Sequence, residues 1–281
     1  IGLADDLFAL SPWPRLAGQV AIAFAMWTQG VRIGTIELPW LGEGSSLIAL
    51  PDLLSLAATV IWLVGITNAI NWLDGLDGLA AGVAGIAAVG LVSVSFSLHQ
   101  VAAGFLAAAL AGCCLGFLPH NFNPARIFMG DGGSYFIGFT LAAISIVGPA
   151  KGLTTVSLLL PLLILSLPLA DMSAVIMGRL REGRSPFYPD RRHLHHRLLR
   201  AGFSHRKTVL LIYVFTQWLA ALALVVANAE MRFLWLALAT AILVATVVIS
   251  RRERSSEGDS SNSASPLSTS GDVSSYRDGH G

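Results

Sequence analysis

Asn68, Asn71, Asp74 and Asp77 recur at every third position of the segment N-A-I-N-W-L-D-G-L-D-G. On a helix this spacing sets two amides and two carboxylates on one slowly turning stripe. Such a stripe can hold Mg²⁺, sugar hydroxyls or the edge of a base, and Gly75 and Gly78 let the backbone loosen and approach a ligand. A second segment runs from Asn121 through Arg126 and Phe128 to Gly130-Asp131-Gly-Gly-Ser134 and leads straight into an apolar run. Glycines ahead of a helix leave N–H groups free at its positive end, a setting for phosphate, and Asp131 could bring the divalent cation that a pyrophosphate carries. A third segment, Asp190-Arg191-Arg192-His193-Leu-His195-His196-Arg197, places imidazoles among arginines. No cysteine or fixed carboxylate stands at zinc-ligand spacing, so an anion-binding loop is the preferred reading. Asp5 and Asp6 form a further acidic pair near the start. Each motif also has a plainer reading, respectively a glycine-ended helix, a helix cap at Asp131 or Ser134, and a basic loop beside a membrane.

The elements that position these residues follow from composition. The chain has 281 residues, 54% hydrophobic and 12% charged, with a mean hydropathy of +0.67. An ordinary soluble domain carries about 25% charged residues, so a single soluble globular enzyme is excluded. The 18 basic and 17 acidic residues nearly cancel, which removes the charge argument for a nucleic-acid partner. Cys113 and Cys114 are adjacent within an apolar run and form neither a disulfide framework nor a CxxC site. A membrane span needs roughly 20 apolar residues, and such runs lie near 16–33, 50–71, 79–98, 101–119, 134–150, 153–177, 208–227 and 231–250. The expected fold is an all-α polytopic integral membrane protein with about eight transmembrane helices in this chain. Residues 1–250 form the membrane-embedded domain and 251–281 a disordered tail, since ten of the last 27 residues are Ser and four are Gly.

Eight spans put both chain ends on one side, together with the loops 72–78, 120–133 and 178–207. That side receives 15 of the 18 basic residues and is therefore cytoplasmic. It also receives Asp5, Asp6, Asp74, Asp77, Asp131 and the three histidines, a convergence expected of a catalytic face.

Taken in order, Asp5-Asp6 after Gly2, Asn68-A-I-Asn71-W-L-Asp74-G-L-Asp77-G, Asn121 seven residues before Phe128, F-M-G-Asp131-G-G-Ser134 and His193-L-His195-His196 resemble the polyprenyl-phosphate N-acetylhexosamine-1-phosphate transferases. The resemblance covers residues 1–250 and implies transfer of a HexNAc-1-phosphate from a UDP-sugar to a polyprenyl (undecaprenyl) phosphate, with release of UMP. This would be the first membrane step of a cell-envelope polysaccharide, at the inner membrane with a cytoplasmic site. It implies Mg²⁺, or Mn²⁺ in its place, on Asp131 with Asp6 beside it, and Asp5 to deprotonate or orient the acceptor phosphate. Asn121, Phe128 and Asp77 would hold the uracil, and Asp74 would lie by the nucleotide sugar. The histidines would contact the diphosphate or sugar, with Asn68, Asn71, Arg191 and Arg192 among the UDP-sugar contacts. The H-L-H-H motif resembles the GlcNAc branch, with the phospho-MurNAc-pentapeptide translocases as the alternative. Partners would be the two substrates and the bilayer, no nucleic acid, with a homodimer allowed for. The family also implies about three helices ahead of Asp5-Asp6, so a chain opening at Ile1 is expected to be a fragment. Two other classes compete. Asp74-x-x-Asp77-Gly echoes the CDP-alcohol phosphotransferases, and a multispan transporter would carry acids at mid-depth beside broken helices.

Overall fold

Backbone N–H and C=O groups have no water to bond within lipid, so apolar runs of this length must satisfy them internally as helices. The computed structural model describes residues 1–37, 47–148, 156–188, 192–227, 229 and 232–263. Among them the helices are α1 (Gly2–Phe8), α2 (Pro12–Thr28), α3 (Asp52–Leu73), α4 (Leu79–Ser97), α5 (Val101–Asn121), α6 (Gly130–Val147), α7 (Val156–Ile164), α8 (Ser166–Arg181), α9 (Leu194–Arg200), α10 (His205–Val226) and α11 (Arg232–Ser263). Six are long and apolar enough to cross a membrane: α3, α4, α5, α6, α10 and Arg232–Ile249 of α11. The polytopic all-α expectation holds.

The details depart from the expected eight runs in five places. The first run is the 17-residue α2, which starts at Pro12 in the N-terminal position that proline suits. The run 153–177 is not one helix: it breaks at Leu165 between α7 and α8. Pro168 has no N–H to give the turn before it, so the break falls where the ladder already lacks a donor. The run expected from 134 begins at Gly130, which draws Asp131 into the first turn of a helix. A two-stranded antiparallel ribbon, β1 (Thr35–Glu37) and β2 (Leu47–Ala49), pairs Ile36 with Ile48 between α2 and α3. At the other end α11 continues to Ser263, so the segment set apart by composition from residue 251 begins as helix, and residues 264–281 lie outside the described residues.

The central helix is α4, whose Ala80, Ala84, Ala87 and Ala88 are fully buried. Small side chains let neighbours come close, which is how helices associate where lipid supplies no hydrophobic driving force between them. The crossing that matters most for the polar residues is α3 on α6. Gly138 of α6 is buried against the α3 backbone, and a Cβ there would stand 2.9 Å from Thr67 Cα and 3.1 Å from the Thr67 carbonyl oxygen. Ile66 and Ile70 of α3 and Leu141 of α6 belong to one buried core.

Gly138→Val should force the two helices apart and lower the thermal unfolding midpoint in detergent, on the scale of about 1–3 kcal/mol for overpacking. Gly112→Ala on α5, where an added Cβ meets nothing within 4 Å, should leave the midpoint unchanged. Equal midpoints for the two variants would refute the tight crossing.

Candidate active site

The α3–α6 crossing delivers Asn71 and Asp131 to the same point. Asn71 Nδ2 donates to Asp131 Oδ1 at 2.8 Å and to Ser134 Oγ at 2.9 Å. Helix α1 lies over the start of α6 so closely that a Cβ on Gly2 would stand 2.5 Å from the Asp131 carbonyl oxygen. From α1, Asp6 accepts the N–H groups of Asp131 at 2.8 Å and Gly132 at 2.9 Å. Asp6 is therefore the N-terminal cap of α6, which explains how a Gly-Asp-Gly-Gly sequence holds a helical first turn. It also corrects the expected phosphate site, because two of the N–H groups thought free for phosphate are taken by this carboxylate.

Arg15 of α2 completes the cluster. Its Nη1 donates to Asp5 Oδ2 at 2.5 Å and lies 3.5 Å from both Asp131 Oδ2 and the Tyr135 hydroxyl. The hydrogen bond shared with the Asp131 carboxyl, outweighing burial and helped by the Arg15 guanidinium, holds Asp5 below the usual carboxylate range. Asp74 behaves in the opposite way. Burial, with the negative charges of Asp131 and Asp77 nearby, pushes it up to about 6. One turn further into the membrane, Asn68 donates to Gln19 Oε1 at 2.6 Å and to the Val64 carbonyl at 2.8 Å.

The loop after α3 is clamped from two sides. Gly78, at φ +81°, gives its N–H to Asn121 Oδ1 at 3.1 Å, and its carbonyl accepts from the Tyr213 hydroxyl of α10. Asn121 Nδ2 in turn donates to the Ile127 carbonyl at 3.0 Å. Asp77 Oδ2 accepts from Asn123 Nδ2 at 3.0 Å and the Ala125 N–H at 3.1 Å, holding the loop with the cis Asn123–Pro124 bond. Two residues expected to grip a base thus brace backbone: Asn121 is only 3% exposed and both ends of its amide are used. Phe128, by contrast, is 75% exposed and offers an aromatic face for stacking.

The histidines reach the same loop from α9. A Cβ on Gly75 would stand 2.5 Å from His195 Nε2, so the glycine is what lets this ring settle on the Asp74 turn. His195 lies between His193, stacked on it at 5.7 Å, and His196, tilted against it at 4.3 Å. Desolvation, reinforced by its two histidine neighbours, pulls His195 down to about 4, so the ring is neutral at physiological pH. His193 hydrogen-bonds Asp171 of α8 through Nδ1 at 2.9 Å and meets the edge of Trp72. Arg179 lies over Trp72 and donates to the Pro186 carbonyl, tying the loop after α8 to the end of α3. Arg192 pairs with Glu182 at 2.6 Å, while Arg191 lies outside the described residues.

Sequence reasoning missed Arg15, Asp171 and Tyr213. Arg15 was visible as the one basic residue before Arg32, and Asp171 as the one acid in the run 153–177. Tyr213 carried no signal, because its contact with Gly78 spans 135 residues.

Among the described residues no three His, Cys, Asp or Glu side chains converge as a ready metal cage. Mg²⁺ is commonly held by one or two carboxylates with substrate phosphates supplying the rest, and the donor set here fits that mode. The Asp131 and Asp5 carboxylates meet at Arg15, their paired cation, with Asp6 on the Asp131 N–H and Asp74 and Asp77 nearby. Asp6, expected as a second ligand, already accepts a backbone N–H on each oxygen.

Fold and site together define a multi-pass membrane protein that gathers acids, amides and imidazoles from α1, α3, α6 and α9 at one end of its helices. The profile of glycosyl transferase family 4 matches residues 1–149, and the chain belongs to that family. It is 42% identical over 233 residues to the decaprenyl-phosphate N-acetylglucosaminephosphotransferase of Mycobacterium leprae, covering 76% of this chain and 58% of the relative. It is 36% identical over 238 residues to a probable undecaprenyl-phosphate N-acetylglucosaminyl 1-phosphate transferase of Bacillus subtilis, covering 85% and 64%. A Haemophilus influenzae undecaprenyl-phosphate alpha-N-acetylglucosaminyl 1-phosphate transferase is 40% identical over 225 residues, covering 75% and 60%. The chain spans about three fifths of the length of these relatives.

A neutral buried His195 makes stability depend on pH. Between about 4 and 6.5 the unfolded chain binds a proton that the folded ring refuses, so stability is full above 6.5 and is lost as pH falls toward 4. The unfolding midpoint should drop through that window, and less steeply for His195→Asn. Parallel curves for the two proteins would contradict the assignment.

Proposed function

We propose that this chain carries the reaction face of a transferase that moves GlcNAc-1-phosphate from UDP-GlcNAc to a polyprenyl phosphate and releases UMP. The face would lie on the cytoplasmic side of the inner membrane, where the basic loops gather, at the first membrane step of an envelope polysaccharide. The observation that carries this reading is Asp131, fixed by Asn71 and Arg15 at the end of the helices in a chain so similar to enzymes named for that transfer. In the reaction an oxygen of the acceptor phosphate attacks the sugar-bearing phosphorus, and the bond from that phosphorus to the bridging oxygen breaks. UMP departs with the electron pair, and the sugar stays on its phosphate.

The difficulty is anion attacking anion, so positioning and charge compensation do most of the work. A divalent cation at Asp131, completed by substrate phosphates, would supply that compensation. Asp5, held low by the hydrogen bond shared with the Asp131 carboxyl and by Arg15, stays ionised and orients; it is poorly matched to take a proton from a phosphate whose second pKa is about 6. Asp74, pushed up to about 6, is the better matched acceptor. Phe128 provides the exposed ring for the uracil, and His193 with Arg192 lines the diphosphate side. Asp77 and Asn121 act by holding the loops that present these groups.

The competing readings lack support of this kind. A transporter would need Asp171 and the α7–α8 break as an ion site, yet both Asp171 oxygens are spent on His193 and Leu194. The relatives named above are GlcNAc enzymes, which disfavours both the MurNAc-pentapeptide and the CDP-alcohol readings.

Membranes containing the full-length protein, polyprenyl phosphate, Mg²⁺ and radiolabelled UDP-GlcNAc should yield a lipid-linked label and UMP. UDP-GalNAc and UDP-MurNAc-pentapeptide should be poorer donors. Asp131→Asn and chelation should each abolish the product, the latter reversibly. No lipid product from the wild type sinks the reading, and full activity in Asp131→Asn sinks the metal assignment alone.

A further inference from the structure

We propose that Asp171 is a positioning residue that fixes the tautomer and orientation of His193, so that His193 meets the phosphate-bearing ligand through Nε2. The inference rests on the transferase reading above and assigns unequal roles within the H-L-H-H motif. Asp171 sits in α8, and its two oxygens serve consecutive residues at the start of α9. Oδ2 lies 2.9 Å from His193 Nδ1, and Oδ1 accepts the Leu194 N–H at 2.7 Å. The pair is largely withdrawn from water, with side chains 10% and 9% exposed. His193, as the residue preceding α9, makes no cap bond with its own side chain, so Asp171 supplies that acceptor from 22 residues earlier.

The ring is held on two further sides. Trp72 meets it edge-on at 5.9 Å, and His195 lies parallel to it at 5.7 Å and 8°. A carboxylate at Nδ1 makes that nitrogen the protonated one, which leaves Nε2 as the acceptor of the neutral ring or the outward donor of the imidazolium. His193 Nε2 is not among the sealed, unpartnered nitrogens of the described residues, whereas both nitrogens of His195 are. His195 is therefore the spacer wedged on Gly75, while His193 keeps a nitrogen that can meet a ligand. The charged and titratable groups around His193 are Asp171 and, behind Trp72, Arg179 from α8. From α9 and α10 they are His195, with His196 and His205 beyond it.

Full-length wild type, Asp171→Asn, His193→Gln and the double variant should be compared by steady-state kinetics and by thermal unfolding. Asp171→Asn keeps an acceptor for Leu194, so the midpoint should hold while kcat falls about 10- to 100-fold, the usual cost of losing such a supporting partner. The loss should shrink to less than about twofold in the His193→Gln background, because the two changes remove one unit. An undiminished loss in the His193→Gln background overturns the proposal. An inactive wild type would instead refute the transferase reading. The histidine ¹⁵N shifts still decide between outcomes in that case: Nδ1-protonated His193 in the wild type and a mixed tautomer in Asp171→Asn support the inference, and an Nε2-protonated ring in the wild type overturns it.

Discussion

A carboxylate at the edge of a lipid phase is tolerated only if its oxygens are bonded, and the hydrogen bond from Asn71 to Asp131 is where this protein meets that demand. Much of the polar architecture follows from it. The bond requires α3 and α6 to cross closely, which requires Gly138 against the Thr67 backbone. It also requires Asp131 to stand in a helical first turn, which requires the Asp6 cap from α1. Once α1 is docked there, Asp5 and Arg15 arrive beside the same carboxylate. Charge, packing and capping thus depend on one another at a single point.

Around that point the polar residues divide into an acidic centre and those that hold. Asp131, Asp5 and Asp74 form the acidic centre, and opposed environments split them: shared hydrogen bonding keeps Asp5 low while burial and like charge raise Asp74. Asn121, Asp77, Tyr213 and Asp171 hold backbone or another side chain. In a membrane protein the holding residues cannot lean on hydrophobic collapse, because lipid competes for apolar surface, so directional bonds carry that task.

Most helices were legible because length and hydropathy alone specify a span. The elements that misled were those settled by distant partners. Gly-Asp-Gly-Gly-Ser reads as a loop before a helix, and only the Asp6 carboxylate, 125 residues away from Asp131, turns it into the helix itself. The run 153–177 is uniformly apolar, and hydropathy outweighed the prolines at 161 and 168 that accompany its break at Leu165. For the site, residue types at regular spacing disclosed the acids, amides and histidines. Spacing could not say which of them face a ligand, since the satisfied amide of Asn121 and the exposed ring of Phe128 are tertiary facts. Arg15 and Asp171 were each the lone charge of their kind in a stretch of sequence, a signal available without the fold.

The central claim is that Asp131, fixed by Asn71, is the carboxylate around which a divalent cation and substrate phosphates assemble. Electron paramagnetic resonance of Mn²⁺ with the full-length protein and UDP-GlcNAc tests it most directly. One bound ion should appear in the wild type, bind more weakly in Asn71→Ala, and be lost in Asp131→Asn with the helices still folded. Unchanged Mn²⁺ binding in Asp131→Asn would contradict the account.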